Sequence, residues 1–311
     1  MPSVGIIGAG LIGRSWVMVF ARAGWKVALT DTSAKALAAA PGLIKTALAD
    51  QKRHDLVRDA KAALRRIRVV PSLEAAVSGA DFVQECGPET LAAKRRLFRA
   101  IDRAAPAKTI VASSSSAIVA SRYTKELAGR ARCLVAHPVN PPHLVPVVEL
   151  CGAPWTAAAT IARARAIYEA IGQVPITVCR EVEGFILNRL QGALLAEAFR
   201  LVGQGYVSAQ DLDKTIKDGL GLRWSFMGPF ETIELNAPGG IPDYCARYTG
   251  FYKRLARKPP KPAVYGRSNA ARILKSWNAV PPGRHGAKSR WRDERLAALR
   301  AHKRAQTAFK D

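Results

Sequence analysis

The fold class predicted by the sequence is α/β: a domain with a mostly parallel sheet, followed by an all-helical C-terminal domain. Up to residue 180, short β-branched apolar runs alternate with Ala-rich amphipathic stretches, as in the βαβ units that build a parallel sheet. After Gly184 the pattern changes to long helical stretches, and no run there is a convincing strand. We therefore predict a domain boundary near residue 181, with domains 1–180 and 181–311.

Apolar runs and turn residues give the individual elements. The stretch "FILNRLQGALLAEAFRLVGQG" predicts a long helix closed by glycines, and "SAQDLDKTIKDGLG" predicts a helix that begins with a Ser cap. In the first domain, helices are predicted over residues 11–23, 88–104 and 156–171. The predicted strands cover residues 4–7, 27–30, 67–70, 81–84, 109–112, 131–136, 147–150 and 175–179.

The composition favours a globular protein without a membrane span. With 311 residues and 49% apolar content, the chain can bury a substantial core. Glycines and Arg14 interrupt the apolar start, so we expect no cleaved leader, and no other run is long enough to cross a bilayer. The five cysteines are widely spaced and lack a CxxC pair, which argues against disulfides or a zinc site and favours a reducing cytoplasm.

The net charge of +24 is concentrated near the C-terminus. Residues 251–311 contain 17 Lys or Arg against 3 Asp or Glu, so they hold +14 of the total. Such a tail could bind nucleic acid, but no nucleic-acid-binding module accompanies it, and we interpret it as a solvated basic face. We expect neither nucleic acid nor a membrane as a partner, whereas a basic surface would attract a small anionic substrate.

The segment "GAGLIG" matches the G-x-G-x-x-G fingerprint of a Rossmann-type dinucleotide-binding domain. A predicted strand ends just before it and a helix follows at once. Gly8, Gly10 and Gly13 would therefore form a tight turn that a pyrophosphate can approach closely. The N–H groups of the first helical turn, at Leu11 and Ile12, would face the phosphates.

The second predicted strand ends at Asp31, eighteen residues past Gly13. An acidic side chain at this place accepts hydrogen bonds from the adenosine ribose hydroxyls and would repel a 2′-phosphate. The next residues, Thr32 and Ser33, supply no Arg beside it. The expected cofactor is therefore NAD rather than NADP, while FAD, which uses a similar fingerprint, stays open.

A histidine and a glutamate mark the predicted site of chemistry. His137 ends the predicted strand "LVAH", where open α/β sheets bind ligands, and Glu149 follows twelve residues later in "VPVVEL". A proline-rich loop between the two strands can return Glu149 to the imidazole, where it would fix the tautomer and favour the imidazolium. The pair could then take a proton from a substrate hydroxyl as hydride leaves. Alone, such a pair is more often structural; the upstream dinucleotide motif favours catalysis. We interpret His143, inside the loop, as structural or peripheral.

Several motifs together resemble the 3-hydroxyacyl-CoA dehydrogenase family. They are "GAGLIG", "QECGPETLAAKRRLF", "SSSSA", "AHPVNPPHLVPVVEL" and "GFILNRLQGALLAEAFRLV". Within the family, "KDGLGLRWSFMGPFET" and "SRWRDERL" resemble the lambda-crystallin branch, the L-gulonate 3-dehydrogenases. This resemblance, over residues 4–299, implies NAD-dependent oxidation of the 3-hydroxyl of a small hydroxy acid, L-gulonate to 3-dehydro-L-gulonate. It also implies a homodimer formed through the helical domain.

The resemblance further implies roles for single residues. It makes the histidine and glutamate above the catalytic pair, and it gives Asn188 a role in steadying the histidine or the substrate oxygen. It places the active-site serine at Ser115, or one position to either side within "SSSS". Glu89 and Lys94, in "PETLAAK", match an acid and a base at the nicotinamide side of the cofactor site.

Arg223, in "GLRWSFMGP", bears on the choice of substrate. Its guanidinium could clamp a free carboxylate with two parallel hydrogen bonds, which a thioester substrate would not need; an Arg that caps a helix or faces solvent is equally compatible. Two enzyme alternatives stay open: a 3-hydroxyacyl-CoA dehydrogenase, and a carnitine-type dehydrogenase with an aromatic cage from Trp224, Phe226 and Tyr244, which we interpret rather as core. A non-catalytic, crystallin-like NAD-binding protein is the alternative from a different class.

Overall fold

The computed structural model describes residues 1–277, 279–281 and 283–307. The chain forms two compact units: one consists of Met1–Asn188 with the C-terminal segment from Ser289, and the other of Arg189–Lys288. The predicted division at residue 181 kept all later residues in one domain, whereas the C-terminal segment belongs to the first unit. Helical periodicity shows that a helix has an apolar face but not which unit that face packs against. The sequence pattern therefore does not reveal that the C-terminal segment belongs to the first unit.

The first unit is built on an eight-stranded sheet with the order β3-β2-β1-β4-β5-β6-β7-β8. Neighbouring strands are parallel except for β6 and β7, which are antiparallel. Each of the eight predicted strands overlaps an observed strand, and the Rossmann-type α/β prediction is confirmed. The strands are β1 (Ser3–Ile7), β2 (Lys26–Thr30), β3 (Ile67–Val69), β4 (Phe82–Glu85), β5 (Ile110–Ser113), β6 (Cys133–Pro138), β7 (Val147–Gly152) and β8 (Val174–Val178).

Helices alternate with the strands in the first unit and make up the second. Within the described residues, no helix combines the length and apolarity that a bilayer span needs. The helices are α1 (Leu11–Arg22), α2 (Ala34–Arg53), α3 (Ala60–Arg65), α4 (Leu73–Val77), α5 (Leu91–Ala104), α6 (Ser121–Thr124), α7 (Ala158–Ala170), α8 (Leu187–Gly203), α9 (Ala209–Lys214), α10 (Gly221–Arg223), α11 (Pro229–Leu235), α12 (Gly240–Ala256), α13 (Arg267–Ser276) and α14 (His285–Ala305).

Alternate side chains of the central strands enter two different apolar cores. On β6, Leu134 and Ala136 join a core that also contains buried residues of α1, α2 and α7. Cys133 and Val135 of the same strand join a core with residues of α4, α5 and α6. Helices therefore cover both faces of the sheet, as the right-handed crossovers of a parallel sheet require.

The second unit buries few apolar side chains. Among its described residues, Ala209 and Ala237 have the only buried apolar side chains, and α8 contains no buried residue. Large apolar side chains are exposed instead, with Phe226 at 71% and Phe230 at 72%. A further set of large apolar residues in this unit is also exposed: Leu190, Tyr206, Leu222, Leu235, Phe251, Leu255 and Leu274.

Candidate active site

Two of the three fingerprint glycines are required by the backbone of the protein itself. Gly8 follows β1 with φ +112°, and a Cβ there would lie 2.6 Å from the carbonyl oxygen of Cys86. A Cβ on Gly13, in the first turns of α1, would collide with the carbonyl oxygen of Gly8. These glycines let the chain leave β1 and enter α1 in a tight turn.

Gly10 has a different environment, which fits a bound pyrophosphate. A Cβ on Gly10 would meet no atom of the protein within 4 Å, so packing within the chain does not demand glycine here. No side chain of a described residue caps the N-terminus of α1, which leaves the N–H groups at Leu11 and Ile12 for an anion. The chain thus leaves open space at this helix end, where the pyrophosphate of NAD is predicted to bind.

Asp31 lies at the same turn, at the end of β2. Its carboxylate accepts hydrogen bonds from the backbone N–H of Ala9, at 2.5 Å, and of Ser33, at 2.7 Å. Ser33, and not Asp31, caps α2, because its hydroxyl accepts from the N–H of Ala36 at 3.2 Å. The acidic group is thus held against the glycine turn, at the place where the ribose of NAD is predicted to bind.

Lys94 is buried in an ionic cluster at the carboxyl end of the sheet. Its side chain is 1% exposed, and its Nζ lies 2.8 and 3.0 Å from the carboxylate oxygens of Glu85. Glu89 is farther from the ammonium, at 3.8 Å, and Ser113 donates to Glu85 at 2.6 Å. The sequence prediction placed Lys94 and Glu89 at the nicotinamide side of the cofactor site and missed Glu85, although an acid at the end of the apolar strand "DFVQE" was a signal of a buried partner.

The three serines that follow Ser113 lie in different environments. Ser115 is fully buried and its hydroxyl donates to Glu89 Oε1 at 2.6 Å. The Ser114 hydroxyl accepts from Gln84 at 2.8 Å and from Trp16 at 3.1 Å. Ser116 is partly exposed, and its carbonyl oxygen accepts from the amide of Asn188 at 2.8 Å. Ser115 is therefore buried and hydrogen-bonded, whereas the hydroxyl of the partly exposed Ser116 has no hydrogen bond to another described residue.

His137 and Glu149 are direct partners across the antiparallel strands β6 and β7. The carboxylate Oε2 of Glu149 lies 2.6 Å from Nδ1 of the imidazole, and both side chains are buried. The other oxygen, Oε1, accepts from the N–H groups of Ile186 at 2.8 Å and Leu187 at 2.9 Å. The spacing of twelve residues thus corresponds to one hairpin, whose register fixes the pair.

These contacts determine the charge of Glu149. Burial raises the pKa of this carboxyl, but hydrogen bonds from His137, Leu187 and Ile186 outweigh it, and the net pKa lies below the ordinary value.

The ring of Phe185 packs against the imidazole of His137, with the two ring centroids 5.6 Å apart. The backbone of Phe185 has φ +48°, an uncommon conformation for a bulky residue. Sequence reasoning missed Phe185; the adjacent Gly184 was the available signal of an unusual turn.

Arg223 lies on α10 in the second unit, whereas the other predicted site residues belong to the first. Its side chain is exposed, and no described carboxylate forms an ion pair with it. Trp224 and Phe226 are exposed as well, so the interpretation of these two aromatics as core is wrong for the single chain, whereas Tyr244 is partly buried. The α10 region therefore presents a free cation and apolar rings together.

Comparison with known proteins identifies the family. The models described as "3-hydroxyacyl-CoA dehydrogenase, NAD binding domain" and "3-hydroxyacyl-CoA dehydrogenase, C-terminal domain" match residues 3–182 and 184–273. The chain belongs to the 3-hydroxyacyl-CoA dehydrogenase family. It is an NAD-dependent dehydrogenase that acts on 3-hydroxy groups, and the predicted enzyme class and cofactor are confirmed.

Relatives confirm the predicted resemblance to the lambda-crystallin branch. A lambda-crystallin homolog of Mus musculus is 41% identical over 301 residues, with 94% of each chain covered. An L-carnitine dehydrogenase of Streptomyces coelicolor is 40% identical over 239 residues, which cover 76% of this chain and 74% of that protein. The solved structure of 5-formyl-3-hydroxy-2-methylpyridine 4-carboxylic acid 5-dehydrogenase, an NAD+ dependent dismutase, matches with a TM-score of 0.86 and 28% identity, and covers 99% of this chain and 100% of that one.

Proposed function

We propose that this dehydrogenase oxidises the 3-hydroxyl of a small free hydroxy carboxylic acid, with L-gulonate, converted to 3-dehydro-L-gulonate, as the first candidate. The buried His137–Glu149 pair carries the proposal, because a carboxylate held at Nδ1 prepares a histidine for proton transfer. Similarity to lambda-crystallin homologues over nearly the full chain favours a free hydroxy acid.

His137 acts as the base in this proposal. Glu149 is ionised at neutral pH, since its pKa is lowered, and it accepts the Nδ1–H hydrogen bond. This fixes the tautomer in which Nε2 carries no proton and can take the proton of the substrate hydroxyl. Bound NAD supplies the hydride acceptor. In the reverse direction the imidazolium returns its proton to the alkoxide.

Ser116 and Asn188 are the proposed substrate-positioning residues. The Asn188 amide donates one hydrogen bond to the Ser116 carbonyl, which fixes the start of α8 against the loop after β5. The second amide hydrogen and the Ser116 hydroxyl remain available to the substrate oxygen. We assign the serine role to Ser116 instead of Ser115, because the latter is buried and bonded to Glu89.

For Arg223 we propose a carboxylate clamp that selects a free acid. An exposed guanidinium without an acidic partner among the described residues can form two parallel hydrogen bonds with a substrate carboxylate. The carnitine-type alternative draws on the same region, because exposed aromatic rings such as Trp224 and Phe226 can surround a trimethylammonium group.

We further propose that the second unit forms a homodimer. A helical body of this size with almost no buried apolar side chain cannot offset the entropy lost on folding. Three tyrosines of α12, Tyr244, Tyr248 and Tyr252, form an aromatic row, with centroids 4.6 Å apart for the first two. Together with the exposed Phe230 they line a pocket of about 300 Å³, which a second copy of the chain would cover.

The decisive experiment is NADH formation by the full-length protein offered L-gulonate, 3-hydroxybutyrate, L-carnitine and 3-hydroxybutyryl-CoA in parallel. We expect the highest kcat/KM with L-gulonate and a loss of about 10²–10⁴-fold in His137→Gln. His285→Gln, which changes an exposed histidine, is the matched control and should keep full activity.

Other outcomes of this substrate comparison would favour one of the alternative functions. A preference for the CoA ester would leave the His137 mechanism in place and contradict the Arg223 clamp. A preference for L-carnitine would favour the aromatic cage. If NAD binds but no substrate is turned over, the crystallin-like alternative gains support. For the clamp itself, Arg223→Met should raise KM for the acid about tenfold or more with little change in kcat.

A further inference from the structure

A pocket of about 640 Å³ lies within the first unit, and none of the predicted site residues lines it. Its walls come from five places: the end of α1, Leu56 in the loop between α2 and α3, the loop between β6 and β7, the turn between α7 and β8, and one face of α14. A volume of this size is typical of sites that bind small molecules. The C-terminal helix thus forms one wall of a cavity in the first unit.

The charged side chains in this wall are all positive. Arg22, Arg300, Lys303 and Arg304 line the pocket, and no Asp or Glu occurs among the described residues of the lining. Burial, and then the charges of Arg300 and Arg304, lower the pKa of Arg22 to about 9. Like charges brought together in a partly buried place repel one another, and a bound anion would remove that cost.

Backbone carbonyls hold the two inner arginines in place. Arg22 donates to the carbonyl oxygen of His143 at 2.8 Å, and Arg300 donates to the same oxygen at 2.7 Å. Arg300 also donates to the carbonyl of Gly172 at 3.0 Å, and Arg22 to the side chain of Gln51 at 2.7 Å. Both guanidinium groups are therefore fixed by neutral acceptors, and their positive charge is not neutralised.

The remainder of the lining is apolar. Side chains of Leu144, Ile171, Leu296 and Leu299 face the pocket, next to the backbone of Gly172. An inorganic anion alone would leave this apolar surface in contact with water. A ligand that has an aliphatic body as well as an anionic head would match both parts of the wall.

We propose that this pocket binds an aliphatic carboxylate, with the carboxylate among the four cationic side chains and the chain along the leucine and isoleucine surface. The proposal does not depend on the reaction at His137, because the two sets of residues are separate. Arg22 and Arg300 bind the head group by charge-assisted hydrogen bonds, and Lys303 and Arg304 add charge at the rim.

Isothermal titration of the full-length protein with decanoate tests this proposal. We expect saturable binding, and the double variant Lys303→Gln/Arg304→Gln should bind about tenfold or more weakly. Neither side chain has a hydrogen bond to another described residue, so the variant should stay folded. Arg295→Gln is the matched control: it removes a charge from the same helix outside the pocket and should bind as the wild type does.

A second variant tests the apolar part. Ala170→Phe places a ring in the pocket without a change in charge, and decanoate binding should then be lost. Unchanged affinity in both variants would overturn the proposal. Equal affinity for decanol would show that the cations do not select the ligand, and competition by inorganic phosphate at similar concentration would show that the aliphatic body contributes nothing; either result would overturn it as well.

Discussion

The two units of the chain obtain their stability in opposite ways. In the first, two apolar cores cover both faces of an eight-stranded sheet, and the buried ionic groups Lys94 and Glu149 are hydrogen-bonded. In the second, the helices leave aromatic and aliphatic side chains exposed, and the only buried apolar side chains of its described residues are two alanines. The first unit buries its apolar side chains within the single chain, whereas the second leaves them exposed, on the surface that we propose a second copy covers.

One charged pair from each unit illustrates the same contrast. Lys94 and Glu85 of the first unit are buried together, where desolvation makes a missing partner very costly. Arg247 and Asp243 of the second unit form a pair of similar geometry, 2.7 Å apart, on the exposed side of α12. Water screens this second pair, so similar distances describe interactions of very different strength.

The largest effect on stability is therefore predicted for Lys94→Met. This variant leaves Glu85 buried without its cation, and the free energy of unfolding should fall by about 3–5 kcal/mol. Arg247→Met breaks the exposed pair and should leave the unfolding free energy nearly unchanged. Urea denaturation of both variants beside the wild type measures the difference. Equal losses would contradict the contrast between the two units.

A charge on the exposed apolar surface of the second unit should have the next largest effect. In Phe230→Glu a carboxylate replaces a ring that is 72% exposed, and we expect dissociation of the proposed homodimer because a buried, unpaired charge opposes association. Sedimentation velocity at several protein concentrations measures the mass. The control is Leu43→Glu, on α2 of the first unit, which should not change it. A monomeric wild type would refute the homodimer.

Glu149→Gln should lower the unfolding free energy by about 1–3 kcal/mol at pH 7, because an amide cannot accept from His137, Ile186 and Leu187 together. The folded pKa of Glu149 is depressed, so its contribution is present above the ordinary value of 4.5 and lost as pH falls through the folded pKa. The variant should lack this loss. Denaturation at pH 7 and pH 4 tests it, with Glu126→Gln as an exposed control.

Periodicity in the sequence was sufficient for the sheet, because every buried strand is a short apolar run between turn residues and each such run became a strand. It was not sufficient for α14. The basic sequence of this helix predicts a solvated face, but the partly buried Arg300 donates hydrogen bonds to the backbone carbonyls of His143 and Gly172. A long basic side chain can bury its aliphatic part while its charged end bonds a backbone carbonyl far away in the sequence. Composition does not predict which basic residues do so.

Within the candidate site, too, the sequence predicts some side-chain contacts and not others. His137 and Glu149 could be paired from the sequence, because a hairpin of known direction brings its two strands into register. Glu85, the partner of Lys94, could not be assigned in this way, since β4 and α5 meet through tertiary packing and not through a fixed spacing. Among four identical serines, burial and the hydrogen bond from Ser115 to Glu89 distinguish Ser116 from Ser115.

The smallest predicted effect concerns His143, which is buried in the first unit and bonded to Ser15 at 3.0 Å. Burial, and then the charges of Arg22, Arg300 and Arg292, lower the pKa of His143 from 6.5 to about 3. Between these values the unfolded chain binds a proton that the folded protein does not, so stability falls as pH drops below 6.5, by at most about 1.4 kcal/mol per pH unit.

His143→Gln removes this titration while it keeps a polar group for Ser15. Its unfolding free energy should therefore decrease less than that of the wild type between pH 6.5 and pH 5.5, a window in which the carboxyl of Glu149 stays ionised. Urea denaturation across that window measures the two slopes. Parallel slopes would mean that His143 is protonated in the folded protein despite its cationic neighbours, and an anion in the adjoining cationic pocket would then be the first explanation to test.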